Sequence, residues 1–304
     1  MQQNEFTISV VIPTLNRANY INNLISSIVD QSVQPDQLVV VDQNKDDTTK
    51  NIVTSIINPH QNILLTYIHD SSFNSLVQAK LIGSNKANCE IVCFLDDDVI
   101  LDKDYFFNVR KGFMDMGDKI LGCMGFITND TKKSKIYLAF HRLFFRGMFT
   151  DDRPSILSGI EKDSDMLIRC NVLSGGASSW RNTVFRDIEF DTHNNLHYFE
   201  DIDFSERAVQ LYGNKFYINS YAKMEHITNQ AERLNHYIIQ KTKIFDAIIY
   251  YKKRSDYPGA LKDIFLIAAW MFSESMLRVI RYNKLTPMSG FFSGLRMGMK
   301  TKTK

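Results

Sequence analysis

Along the first 130 residues, short apolar runs alternate with stretches whose apolar residues recur at helical spacing. The runs fall at 8–12, 38–41, 63–68, 90–95 and 120–127, and the spacing predicts helices over 18–30, 47–57, 75–87 and 103–114. Strands that are apolar throughout are buried on both faces, and their alternation with helices predicts βαβ units and a mostly parallel central sheet. Right-handed crossovers then bring the C-terminal ends of the strands to one edge, where such sheets hold their ligands. Polar residues stand at three of those ends: Pro13 and Thr14 after the first run, Asp42 and Gln43 after the second, and Asp96, Asp97 and Asp98 after the fourth. From 132 to 169 the pattern is irregular, with aromatic and basic residues mixed, and fits a mobile segment over the cleft or a loop-rich connection. Beyond residue 229 it is helical almost to the end, with a break at Tyr257, Pro258 and Gly259.

Composition narrows the class. The 304 residues are 44% hydrophobic and 23% charged, ordinary for a globular protein with a sizeable core. A net charge of +2 gives no ground for nucleic-acid binding. Cys89, Cys93, Cys123 and Cys170 lack paired metal-ligand spacing, so buried thiols in a reducing compartment are expected. The first residues show no basic-then-apolar leader, and the longest apolar run, 264–272, is far short of the ~20 residues that span a bilayer. A cytoplasmic location is expected.

Three adjacent carboxylates at the end of a buried strand repel one another and are costly to shield from water without a cation or hydrogen-bond donors. Oxygen ligands of this kind suit Mg2+ or Mn2+. An acidic turn capping the next helix is the plainer alternative. The same stretch also resembles the nucleophile loop of haloacid-dehalogenase-type phosphatases, with Asp96 attacking phosphate, although three strands precede it here. A non-catalytic sugar-nucleotide binding protein is a third possibility.

Taken together, the motifs resemble those of family 2 glycosyltransferases, which have the GT-A fold. Ser9 to Arg17 resembles the first strand and loop of that family, Val39 to Gln43 its second strand, and Phe94 to Asp98 its Asp-x-Asp motif. Ser174, Gly175, Gly176 and Ala177 resemble its acceptor-side glycine loop, and Phe199 to Phe204 its Glu-Asp motif. The resemblance implies an α/β GT-A catalytic domain over 1–228, with a nucleotide-binding half at 1–130 and an acceptor half at 131–228. A helical region over 229–304 follows. It implies a metal-dependent inverting transferase using Mn2+ or Mg2+. The sugar would move from a nucleotide-diphosphate donor to a cell-surface glycan or lipid-linked saccharide. Donor contacts would come from Pro13, Thr14, Asn16, Arg17, Asp42, Gln43, Lys80, Asp96 and Asp97, with Asp42 and Thr14 on the base. Metal ligands would be Asp98, Asp96 and His226. Asp201 would be the general base, with Glu200 orienting the acceptor or raising the pKa of Asp201, and Gly175 and Gly176 would let the backbone approach the sugar. The same two acids could instead simply favour a helix N-terminus. Gln43 and Lys80 replace residues more usual in the family.

In the C-terminal region, Leu261, Ile264, Phe265, Ala268, Met271, Phe272, Met276 and Val279 predict one apolar helical stripe, with Arg278, Arg281, Lys284, Arg296, Lys300, Lys302 and Lys304 following or flanking it. The stretch from Gly290 to Arg296 resembles the basic, aromatic ends of family members that extend lipid-linked saccharides. Peripheral attachment to the inner face of the plasma membrane is the expectation, a core helix with a solvated tail the alternative.

Overall fold

The computed structural model describes residues 6–161, 164–227 and 235–303. The expected boundary at 228/229, the first five residues and Lys304 lie outside them. β1 (Ile8–Thr14), α1 (Ala18–Val29), β2 (Gln37–Asp42), α2 (Thr48–Ile57), β3 (Leu64–His69), α3 (Leu76–Lys86) and β4 (Ile91–Leu95) follow the predicted alternation. β5 (Val99–Leu101), α4 (Tyr105–Met116) and β6 (Gly122–Ile127) complete that half. Next come α5 (Lys135–Phe144), α6 (Arg153–Gly159), β7 (Leu167–Cys170), β8 (Ala177–Arg181), α7 (Val184–Asp187), α8 (Glu200–Tyr212) and β9 (Phe216–His226). Three helices close the chain: α9 (His236–Lys253), α10 (Ala260–Tyr282) and α11 (Thr286–Lys300).

The strands form one sheet in the order β3-β2-β1-β4-β8-β6-β9-β5, with β7 also paired to β9. β3, β2, β1 and β4 are mutually parallel, whereas β8 runs antiparallel to both β4 and β6. Side chains alternate faces as the strand period requires. Val10, Ile12, Leu38, Val40, Cys93 and Leu95 join α1, α2 and α4 in one core, while Val11, Val39, Val41, Val92 and Phe94 join α3 and α8 in a second. Burial on both faces is why these strands carry no polar alternation. Each wholly buried Val, Ile or Leu contributes about 1.5–3 kcal/mol. All four cysteines are buried free thiols.

The stretch from 132 to 169 is more regular than its sequence pattern. α5 is capped by Ser134, whose hydroxyl accepts from the Tyr137 N–H, and its Tyr137, His141 and Phe144, with Phe145 just beyond its end, set their rings edge-on or tilted around Trp270 of α10. Its Ile136, Phe140 and Leu143 are exposed.

The C-terminal region breaks twice, around Pro258 as predicted and again at Asn283, which adopts a left-handed conformation (φ 49°). The predicted single stripe on α10 divides. Met271 and Ile267 are buried and Ile264 and Ala268 pack inward, whereas Leu261, Phe265, Phe272 and Met276 are exposed. α9, α10 and α11 form a third core with Met148, Phe149, Val172, Phe199 and Ile202 of the first 228 residues. Gly290 and Gly294 of α11 lie directly against the backbone carbonyls of Tyr237 and Lys241 on α9, leaving no room for a Cβ. The segment expected at a membrane is thus partly a helix–helix interface, with Phe291 buried in it. Among the described residues, no helix is long and apolar enough to cross a membrane.

Candidate functional site

Parallel pairing sets Thr14 beside Asp42 at the ends of β1 and β2, and β4 ends next to them. β8, antiparallel to β4, starts with Ala177 opposite Leu95, which brings Gly175 and Gly176 to the same edge. The N-terminus of α8 supplies Glu200 and Asp201, and the end of β9 supplies His226 opposite Val99.

The aspartates diverge. Asp97 and Asp98 are buried, and the Arg17 guanidinium donates from Nη1 to both, at 3.0 and 2.8 Å. Thr14 Oγ1 donates to Asp97 at 2.7 Å, which commits its proton to the acidic loop and leaves its oxygen as an acceptor. Burial pushes the Asp97 carboxyl up to about 6, with Arg17 and Thr14 opposing. Asp98 Oδ1 lies 2.9 Å from His226 Nε2, and the Asp98 carbonyl accepts from the Ile227 N–H. The structure thus joins two of the three expected metal ligands. Asp96 does not join them: its N–H bonds to the Gly176 carbonyl, and its carboxylate lies against the Gly176 α-carbon. Among the described residues, no group of three or more His, Cys, Asp or Glu is assembled to hold a metal. The donor set nonetheless suits one, because Asp98 and His226 offer adjacent oxygen and nitrogen ligands in a pocket that already draws a guanidinium.

On the predicted base-binding side, Asp42 is wholly buried. Its oxygens accept from the Tyr67 hydroxyl at 2.6 Å and the Asn44 N–H at 2.9 Å. Gln43 Oε1 accepts from the Ser75 N–H at 2.8 Å, which fixes the start of α3. Asn16, left-handed at φ 57°, donates its N–H to Asn44 Oδ1 at 2.5 Å, tying the loops after β1 and β2 together. Pro13 sits inside β1 opposite Val41.

Lys80 of α3 is buried with its ammonium on Glu200 and about 6 Å from the Phe94 and Phe190 rings. Burial pushes Glu200 up, and Lys80 opposes it. Lys80 therefore neutralises Glu200 rather than standing free for a phosphate. A Cβ on Gly175 would strike Glu200 and Lys80, and one on Gly176 would strike the Asp96 carboxylate. The close approach these glycines allow is to the site's own charged side chains.

Asp201 has a partner that sequence reasoning missed. Arg153, at the start of α6, donates from Nη1 to Asp201 Oδ2 at 2.5 Å and forks onto Asp151 at 2.8 and 2.9 Å. Asp201 Oδ1 accepts from the Ile202 N–H at 2.8 Å. Asp151-Asp152-Arg153-Pro154 carried a helix-start signal, with proline in the first turn, but nothing local indicated its distant partner. His197 was missed as well. Its pKa is lowered by burial and by Lys80, with Asp96 opposing.

Asp246 of α9 accepts the backbone N–H groups of His197 and Tyr198, both at 2.7 Å, and so holds the loop that leads into α8. Burial pushes its carboxyl up to about 7 against those two donors. A folded-state pKa above the unfolded value of ~3.9 means that this group's stabilisation is complete below that value and is lost as pH rises through the folded one. Asp246→Asn keeps an acceptor oxygen without the titration. Its melting temperature relative to wild type is expected to move in the variant's favour between about pH 4 and pH 8. A difference independent of pH would refute the assignment.

A mixed central sheet flanked by helices, with a helical C-terminal region, is the GT-A fold, and solved structures share that fold. The mannosyltransferase PcManGT of Pyrobaculum calidifontis, in complex with GDP-Man and Mn2+, matches with a TM-score of 0.63 at 14% identity, over 98% of this chain and 88% of that one. GalNAc-T7 with UDP, GalNAc and Mn2+ matches at 0.60 and 15% identity, over 85% and 52%. The family model for Glycosyl transferase family 2 matches residues 9–174, and the chain belongs to that family. The O-antigen chain rhamnosyltransferase RfbN of Salmonella typhimurium is 25% identical over 255 residues, covering 83% of this chain and 76% of that protein. The protein is a sugar-transferring enzyme. Family membership overturns both the phosphatase and the non-catalytic readings of the same aspartates.

Proposed function

We propose that the protein transfers a sugar from a nucleotide-diphosphate donor to a cell-surface glycan or its lipid-linked precursor, by single displacement with inversion. The observation that carries this reading is the placing of two acidic groups at the sheet edge that holds Gly175 and Gly176, with Asp96 against Gly176 and Glu200 against Gly175. One group is Asp97 and Asp98 with Arg17 and His226. The other is Asp201, held by Arg153. The first group suits a diphosphate leaving group, and the second suits removal of a proton from an attacking hydroxyl. Asp98 and His226 would hold Mn2+ or Mg2+, which when bound neutralises charge on the leaving diphosphate. Arg17 carries a positive charge at the same place. RfbN, named as an O-antigen rhamnosyltransferase, and PcManGT, solved with GDP-Man and Mn2+, agree with this class of donor and product.

A thermal-shift series of UDP, GDP and dTDP with and without Mn2+ tests it. At least one is expected to stabilise the protein, by about 2.7 kcal/mol at a hundredfold excess over Kd, and more with Mn2+ present. No stabilisation by any of them would sink the reading.

Peripheral attachment to the inner membrane face is part of the same proposal. Leu261, Phe265, Phe272, Met276 and Ile280 are exposed on α10 within an arc of about 100°. Arg281 and Lys284 follow this face. Apolar groups beside cations suit an anionic lipid surface. The protein should sediment with anionic vesicles and not with neutral ones, and Phe265→Glu with Ile280→Glu should release it. Wild-type protein left in the supernatant of anionic vesicles would refute attachment.

A further inference from the structure

Beside Asp201, outside the donor edge, lies a cavity of about 280 Å3 between the end of β6 and α6. Three features define it. Its buried floor is Met124, Phe126 and Ile160. Its mouth carries the exposed Thr131 and Lys132. Arg153, the residue bonded to Asp201, forms one wall together with Asp151 and Ser174. The cavity therefore shares a side chain with the group assigned as base.

Its volume is at the lower end of ligand pockets, roughly 300–1,000 Å3. That is room for one sugar ring and a substituent, not for an oligosaccharide or a lipid chain. The floor excludes a ring that is hydroxylated all round, because a hydroxyl set on Met124, Phe126 and Ile160 meets no side-chain donor or acceptor there. A methyl group has no such requirement and gains by leaving water. The rim offers hydroxyls and charges to the ring oxygens that stay near solvent.

We infer that this cavity is the acceptor subsite, and that it selects an acceptor sugar bearing a methyl group, placed on the Met124–Phe126–Ile160 floor. This rests on the assignment of Asp201 to the acceptor side. Two sugar types present such a methyl, a 6-deoxyhexose through C6 and an N-acetylhexosamine through its acetamide.

Saturation-transfer NMR on the full chain separates them, with the 2-hydroxyethyl glycosides of rhamnose, N-acetylglucosamine and mannose as probes, because that aglycone brings no methyl group of its own. The strongest transfer should fall on the C6 methyl of the rhamnoside or on the acetamide methyl of the glucosaminide, whichever source is used. The preferred glycoside should bind about fourfold or more tightly than the mannoside, the effect of one buried methyl. Leu157→Trp, which fills the cavity, should abolish that signal. Thr131→Trp, on the exposed rim and harmless to folding, should weaken it by blocking the mouth. Equal or tighter binding of the mannoside, no binding of any glycoside, or a signal unchanged in both variants would overturn the inference. Failure of every nucleotide to stabilise the protein would overturn the proposed function instead, so the two fail separately.

Discussion

Asp201→Asn is expected to lower sugar transfer by about 10²–10⁴-fold, the contribution of a positioned general base, while nucleotide binding persists. The fold should tolerate the change. Asparagine keeps an oxygen at the start of α8, and Arg153 retains both bonds to Asp151 and one to the Leu173 carbonyl, so no buried charge is stranded. What disappears is the only property the reaction requires of that position, a carboxylate that can accept a proton. Single-turnover transfer and nucleotide thermal shift, measured on the same preparation, separate chemistry from binding. Transfer within about tenfold of wild type would remove Asp201 as the base.

Lys80→Met should have the largest effect on stability. It leaves Glu200 buried without its ammonium, and breaking a buried ion pair on one side costs about 3–5 kcal/mol. The melting temperature should fall by on the order of 10 °C. The loss should shrink toward acid pH, where Glu200 takes up a proton and no longer needs a counter-charge. Adding Glu200→Gln should recover most of the loss, because the second change removes the stranded charge. A double variant no more stable than the single one would show that Lys80 contributes through packing against Phe94 and Phe190 instead.

The parallel half of the fold was legible because β1, β2 and β4 are buried on both faces and so read as unbroken apolar runs. The antiparallel half was not. β8 is Ala177-Ser178-Ser179-Trp180-Arg181, whose serines are buried beside β4 and β6, and no apolar run announces it. Its insertion between β4 and β6 is a pairing across more than 50 residues, which no local pattern encodes. The acids that the fold brings to this edge could be singled out because several carboxylates together are costly without a purpose. Their neutralisers were harder to place. Arg17 and Lys80 were recognised as cationic, yet both are spent on the site's own acids, and Arg153 meets Asp201 only through the fold. Asp246, between Phe245 and Ala247, carries no local signal of its part in the fold. Its role depends on two backbone N–H groups that point at it from another element.

Those contacts make the far end of the chain a strut for the chemistry. Gly290 and Gly294 clamp α11 on α9, and α9 in turn grips the loop at 197–198 through Asp246 and the side of α8 through Lys253 and Tyr250. Removing α11 to test lipid attachment would therefore also slacken the helix that carries Asp201. An enzyme shortened there could lose turnover without ever having needed a membrane. Only point changes on the outer face of α10 separate anchoring from bracing.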